Sequence, residues 1–194
     1  MFDFIQGQIV DKNPAYVVLD CNGIGYMIHI SINTYSKLSD KKQCRLLTHF
    51  VVREDAQLLY GFYEQEERHL FRLLITVSGV GANTARMILS SLSPDEIVQA
   101  IIGNDISLLQ SVKGIGAKSA QRIIIELKDK IGKSGISQEN LNIPHNTKKD
   151  EALSALIMLG FTRNIAEKAI NKIFISKGSA ISVEQLIKEA LKIL

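Results

Sequence analysis

Slid along itself by 35 residues, the chain meets its own sequence a second time. Leu73 falls on Leu108, Leu74 on Leu109, Val77 on Val112, Gly79 on Gly114 and Gly81 on Gly116. Ala82, Ala85 and Ile88 fall on Ala117, Ala120 and Ile123, with Thr84 opposite Ser119. Both copies read Leu-Leu-x-x-Val-x-Gly-[Val/Ile]-Gly-Ala-x-[Thr/Ser]-Ala, a G-x-G turn between two apolar stripes of helical period. The chain must therefore build one helix-turn-helix twice, and the two copies are expected to pack as a single compact unit.

The residue types in the repeat have a physical logic. One helix is expected to end at Val77 or Val112, where Gly79 or Gly114 supplies the left-handed conformation that reverses the chain. Val80 or Ile115, between the glycines, turns inward and pins the hairpin. Gly81 or Gly116 leaves no side chain between backbone and ligand. The next helix then opens at Ala82 or Ala117 with its free amides and dipole directed outward. Such a cluster of N–H donors suits a phosphate oxygen and reads no base. Lys113, Lys118 and Arg122 add positive charge around the second copy. A single G-x-G between helices is more often a plain turn, and here it lacks the third glycine and leading strand of a dinucleotide site. Two matched copies favour DNA-backbone binding, with the pair tracking the two strands across one minor groove.

The flanking sequence changes texture. Strand-like runs at 4–10, 16–19, 25–30, 46–52 and 57–62 are punctuated by Lys12-Asn13-Pro14, Asn22-Gly23 and Arg53-Glu54-Asp55-Ala56, which predicts a small closed barrel of the OB type over 1–63. From 64 to 131 the period is helical, with Ser93-Pro94-Asp95-Glu96 as a helix start. Residues 132–149 are polar, rich in Gly, Ser and Asn, and without period, which reads as a flexible linker. Residues 150–194 return to helical spacing in three pieces and predict a three-helix bundle. The fold class is thus α+β multidomain: an N-terminal barrel, a central all-α double hairpin, a tether and a C-terminal bundle. The net charge of +3 is small, so positive potential for a polyanion has to be local or come from amides.

These features together identify the chain as resembling the RuvA family of Holliday junction-binding subunits. The strongest local likeness is Thr48-His49-Phe50-Val51-Val52-Arg53-Glu54-Asp55-Ala56-Gln57-Leu58-Leu59-Tyr60-Gly61-Phe62, followed by the hairpins Gly79-Val80-Gly81 and Gly114-Ile115-Gly116, the tether and the small bundle in the family's order. The resemblance implies a four-fold homotetramer, or an octamer of two stacked face to face, holding an open four-way junction in recombination, repair and the SOS response to DNA damage. It implies a RuvB-type AAA+ motor as partner, with a RuvC-type resolvase as a further one. Glu54 and Asp55 match the family's acidic pin; adjacent carboxylates at a lone hairpin tip are ordinarily just solvated, but four copies near an axis would repel crossover phosphates. Arg53 is placed to hold a neighbouring phosphate. In the bundle, Leu156, Leu159, Gly160 and Phe161 resemble the apolar-Gly-aromatic turn of ubiquitin-associated (UBA-like) domains and match the motor contact, though Leu156 alone reads as core. Asn83 and Ala117 stand where family members often carry lysine, and Ser78 and Lys113 replace commoner neighbours of the first glycine. A shallower salt dependence than that of a lysine-rich relative is expected.

No catalytic constellation emerges. Gly132-Lys133-Ser134 is a fragment of a P-loop, but Leu127 stands where its first glycine belongs. His29, His49, His69 and His145 are scattered, His29 and His49 being assigned to the barrel, and Cys21 and Cys44 are read as reduced thiols. No cofactor or metal is expected, and the chain is read as non-enzymatic. Two rivals remain: an enzyme of the glycosylase or nuclease type with Lys128 and Asp129 as candidate groups, or an accessory helix-hairpin-helix module to one; and a single-strand-binding barrel, for which 6% aromatics without Trp is poor provision. Met1-Phe2-Asp3-Phe4 opens no signal peptide, and no apolar run approaches the ~20 residues of a membrane helix, so a cytoplasmic protein without membrane partners is expected.

Overall fold

The computed structural model describes residues 2–39, 41–133, 148–177 and 181–194, and the chain divides into two compact units, 1–140 and 141–194. In the first, β1 (Phe4–Asn13), β2 (Tyr16–Cys21), β3 (Ile24–Ile30), β4 (Gln43–Val52) and β5 (Gln57–Phe62) close into a barrel in the order β1-β2-β3-β5-β4. Neighbouring strands are antiparallel except β3 and β5. Alternation puts Val17, Leu19, Ile28, Ile30 and Leu46 in the barrel core, as period-2 strands require. A bulge between Ile9 and Asp11 bends β1, which pairs with β4 at one end and β2 at the other. At Gly61 a methyl group would lie 2.5 Å from Ile28 Cγ2, so the parallel β3–β5 contact closes only over glycine. The closed five-stranded barrel is as the strand runs predict. The helix α1 (Ile32–Lys37) between β3 and β4 is an addition; it is capped by Ser31, whose hydroxyl accepts the Thr34 amide at 3.0 Å.

The helical repeat follows: α2 (Gln65–Leu74), α3 (Ala82–Ser91), α4 (Pro94–Ile102), α5 (Ile106–Gln110) and α6 (Ala117–Lys133). The start signal at Ser93 is a full capping box with Glu96, and Pro94 is the first helical residue. Tyr60 and Phe62, on the outer side of β5, join Leu70, Phe71 and Leu74 of α2 and the buried faces of α3 to α6 in one apolar core. The Phe71 ring sits 5.1 Å from that of Tyr60 and 4.9 Å from that of Phe62. Residues 1–63 and 64–131, expected as separate domains, therefore meet through a shared core. Polar contacts reinforce the junction: Ser31 donates to Glu67 Oε1, Thr34 Oγ1 donates to Glu67 Oε2 at 2.6 Å, and Asn33 Nδ2 donates to Leu89 O at 2.6 Å and Leu92 O at 3.0 Å.

In the second unit α7 (Lys148–Met158), α8 (Arg163–Lys177) and α9 (Val183–Leu191) form the expected three-helix arrangement around Ala152, Leu156, Ala166, Ile170, Leu186 and Ala190. Most of the linker expected over 132–149, together with His145, lies outside the described residues.

Candidate nucleic-acid interface

The two G-x-G turns have the same geometry. Gly79 has φ +87° and Gly114 φ +91°, values that side-chain-bearing residues adopt at a cost. The Val80 amide donates to Val77 O at 3.0 Å and the Ile115 amide to Val112 O at 3.1 Å, a four-residue turn with glycine third, as type II turns require. Val77 and Val112, expected as last helical residues, instead open these turns, because α2 and α5 end earlier, at Leu74 and Gln110. Val80 and Ile115 point into the core at 5% and 6% exposure. Past the turn, the Ala85 amide reaches Gly81 O at 2.9 Å and the Ala120 amide reaches Gly116 O at 3.0 Å, so each second glycine occupies the cap of the following helix.

That cap position separates these two helices from most others in the chain. Ser31, Ser93, Asp105 and Ser182 each close a helix start with a side-chain oxygen. Gly81 has no side chain with which to do so at α3, nor has Gly116 at α6, and neither helix carries a carboxylate in its first turn. Their first-turn amides and positive dipole ends are left for an external acceptor. Gly81 has φ −82°, and neither it nor Gly116 takes the left-handed angle, so what they contribute is open backbone. Ala82 is buried beneath the first turn, whereas Ala117 and Lys118 are exposed beside the second, together with Lys113.

The structure also fixes what surrounds the hairpins. The β4–β5 tip closes with the Arg53 amide on Ala56 O at 2.8 Å and leaves Arg53, Glu54 and Asp55 exposed. Arg53 Nη2 lies 3.9 Å from where a methyl at Gly81 would project, so this guanidinium stands beside the first hairpin. Arg122 donates from Nη1 to Ser78 O at 3.1 Å, and Lys130 donates to Thr76 Oγ1 at 3.1 Å. Both reach from α6 of the second copy to the turn of the first, tying the clamps together. Asn83 accepts from Arg86 Nη2 at 3.0 Å, and Arg86 Nη1 donates to Ala15 O at 2.8 Å, which braces α3 against the β1–β2 turn. Sequence reasoning missed Arg86 and Lys130; the i,i+3 spacing of Asn83 and Arg86 was the one local sign of the first.

Of the described histidines, His29 and His49 sit on barrel strands β3 and β4 and His69 on α2. His29 stacks against Tyr60 at 5.7 Å and His49 meets the Phe71 ring edge at 5.4 Å. Burial, then the nearby arginines, push His29, His49 and His69 below the usual histidine range. Cys44 is pushed up to about 11 by burial, which leaves an unreactive thiol. Among the described residues no group of three His, Cys, Asp or Glu is placed to hold a metal ion, and no helix is long and apolar enough to cross a membrane.

In the second unit, α7 ends in a Schellman motif: the Phe161 amide reaches Leu156 O at 3.1 Å, the Gly160 amide reaches Ile157 O at 3.0 Å, and Gly160 has φ +99°. The motif turns Leu156 fully inward and Leu159 outward at 60% exposure, with Phe161 half-buried over the core. Ile157 and Met158, which were not singled out from sequence, extend the exposed apolar ridge at Leu159 along the end of α7, and Ile165 is exposed on α8.

Comparison with known proteins agrees with this geometry. Residues 1–61 match the RuvA N terminal domain, residues 71–129 a SAM-like helix-hairpin-helix tandem, and residues 147–194 the RuvA C-terminal domain. The chain is 51% identical to the Holliday junction branch migration complex subunit RuvA of Christiangramia forsetii, over 99% of both chains. It is 49% identical to that of Flavobacterium psychrophilum, over 99% of both, and 43% identical to that of Cytophaga hutchinsonii, over 99% of both. Barrel, paired hairpins and terminal bundle define a DNA-binding helix-hairpin-helix protein built on an OB-like barrel. The chain belongs to the RuvA family.

Proposed function

We propose that this chain is the junction-binding subunit of a branch-migration machine: it grips four-way DNA by its backbone and loads a RuvB-type AAA+ motor onto the arms. The observation that carries the reading is the pair of identical turns whose following helices open, without a side-chain cap, at Gly81 and Gly116. Backbone amides at Gly79, Gly81 and Ala82 and at Gly114, Gly116 and Ala117 serve as phosphate donors, assisted by Lys113, Lys118 and Arg53, while the Val80 and Ile115 amides hold their turns. Arg122 contributes charge while its guanidinium holds Ser78. Four copies form a tetramer, or eight an octamer, with Glu54 and Asp55 of each as an acidic pin near the crossover. The exposed ridge at Leu159, with Gly160 and Phe161, receives the motor, and Leu156 supports it from beneath. The subunit is non-catalytic, ATP hydrolysis belongs to the motor, and a RuvC-type resolvase acts on the same junction. Bound this way, the protein discriminates DNA by shape and not by sequence.

A gel-shift titration tests this with a four-way junction, linear duplex and single strand of matching sequence in competitor DNA. The expected result is strong junction preference and a shifted species of tetrameric or octameric mass. Equal binding to duplex and junction would leave the hairpins as generic backbone clamps, and preference for single strands would move the site to the barrel.

A further inference from the structure

The outer wall of the barrel where β1 meets β4 carries Lys41, Lys42 and Arg45, all exposed. Among the described residues none of the three makes an ion pair. Two are held by rings instead: the Arg45 guanidinium lies 3.7 Å from the Phe4 ring centroid, and the Lys41 ammonium lies 4.2 Å over Tyr63 and donates to its hydroxyl. A ring face positions a cation without cancelling its charge, as a carboxylate would. Neutral amides lie between them, with Gln6 registered opposite Arg45 and Gln8 opposite Gln43. Of the nearby carboxylates, Glu64 pairs with Lys37, and Asp20, which accepts the Gly23 amide, stands at the edge of the wall beside Gln6, Gln8 and Gln43; Asp40, adjacent in sequence, lies outside the described residues.

The wall is therefore a patch of three cations, two of them positioned by rings, with amide donors and acceptors between them; Arg45 stands on β4, and Lys41 and Lys42 on the segment that leads into it. That combination fits a run of phosphates, and the depression it lines, between Gln6, Lys41, Gln43, Arg45 and Tyr63, is open to solvent and not a closed pocket for a base. We propose that this wall is a second, sequence-independent contact for duplex DNA, separate from the hairpins. β4 runs from Gln43 at the wall to Val52 beside the tip that adjoins Gly81. Nine steps at about 3.3 Å put the wall roughly 30 Å from that tip. DNA held at the hairpins reaches it only through about ten further base pairs of arm, at ~3.4 Å each. The inference goes beyond the proposed function and shares with it only the class of ligand.

The test uses the full chain carrying K41Q/K42Q/R45Q, beside the charge-preserving K41R/K42R/R45K, with folding checked by circular dichroism. Binding is titrated against salt on junctions with arms of about 10 and about 30 base pairs and on long linear duplex. The glutamine variant is expected to lose about ten-fold in affinity for the long-armed junction and the duplex, and to flatten the slope of log affinity against log salt by about two to three. Short-armed junctions are expected to change by less than about two-fold, and the charge-preserving variant is expected to behave as the parent. An unchanged slope on long DNA would overturn the proposal. So would failure of the glutamine variant to assemble, which would assign the wall to contact between copies. If the parent shows no junction preference, the proposed function fails, yet the slope on linear duplex still decides whether the wall binds DNA.

Discussion

The first and second glycines of the G-x-G turns do different work. Gly79 is needed for its backbone angle: at φ +87° a side chain is strained by about 1–2 kcal/mol, although nothing lies within 4 Å of an added methyl. Gly116 is in open space with no such angle, so an added methyl strains nothing inside the protein and meets only what approaches from outside. Gly79→Ala is therefore expected to lower unfolding stability by about 1 kcal/mol and to weaken DNA binding with it. Gly116→Ala is expected to keep the parent's denaturation midpoint while losing several-fold in junction affinity. Chemical denaturation beside gel-shift titration separates the two. Loss of stability without loss of binding in Gly116→Ala would show that the second hairpin is not a close-approach site.

At the scale of elements, the barrel and the helical repeat are joined by a carboxylate that no local pattern announces. Glu67 is 2% exposed, accepts from Ser31 and Thr34, and has Lys37 and Glu64 as its charged neighbours. Burial raises it above the usual carboxylate range, and the two hydroxyls and Lys37 only partly offset that. A raised acid favours the protonated folded form, so this group adds stability as pH falls from its folded value toward the ordinary carboxylate range. Its contribution is lost as pH rises again. The melting temperature of Glu67→Gln minus that of the parent should therefore be most favourable to the variant near neutrality and shrink on acidification. A difference independent of pH would mean that Glu67 titrates normally. The partners of Glu67 also show where sequence reading stops. Strand runs and hairpins were legible because alternation and G-x-G spacing are local patterns. Ser31 and Glu67, 36 residues apart, or Arg122 and Ser78, 44 apart, are ordinary polar residues until the fold joins them. The short α1 escaped because its apolar positions do not form a stripe, with Ser31 as its only start signal.

For the whole molecule, the quantity that matters is the charge that the proposed tetramer would bring together. Within one chain Glu54 and Asp55 are exposed carboxylates at a hairpin tip, beside Arg53 and the first clamp. Alone they would do little, since solvent screens them. In the tetramer proposed above, four such tips converge, and like charges about 4 Å apart cost on the order of 1 kcal/mol per pair in water and more where DNA displaces water. The repulsion falls on any continuous duplex lying across the centre, whereas an open junction leaves the centre without a phosphate run. Glu54→Gln with Asp55→Asn should therefore raise affinity for linear duplex by several-fold and for the junction by less, so that the ratio of the two narrows. The same variant should keep its assembled mass, because it removes only like charges that repel one another where the tips converge. Competition between labelled junction and unlabelled duplex reads that ratio directly. An unchanged ratio would reduce the acidic tip to a solvated turn and leave shape discrimination to the spacing of the hairpins.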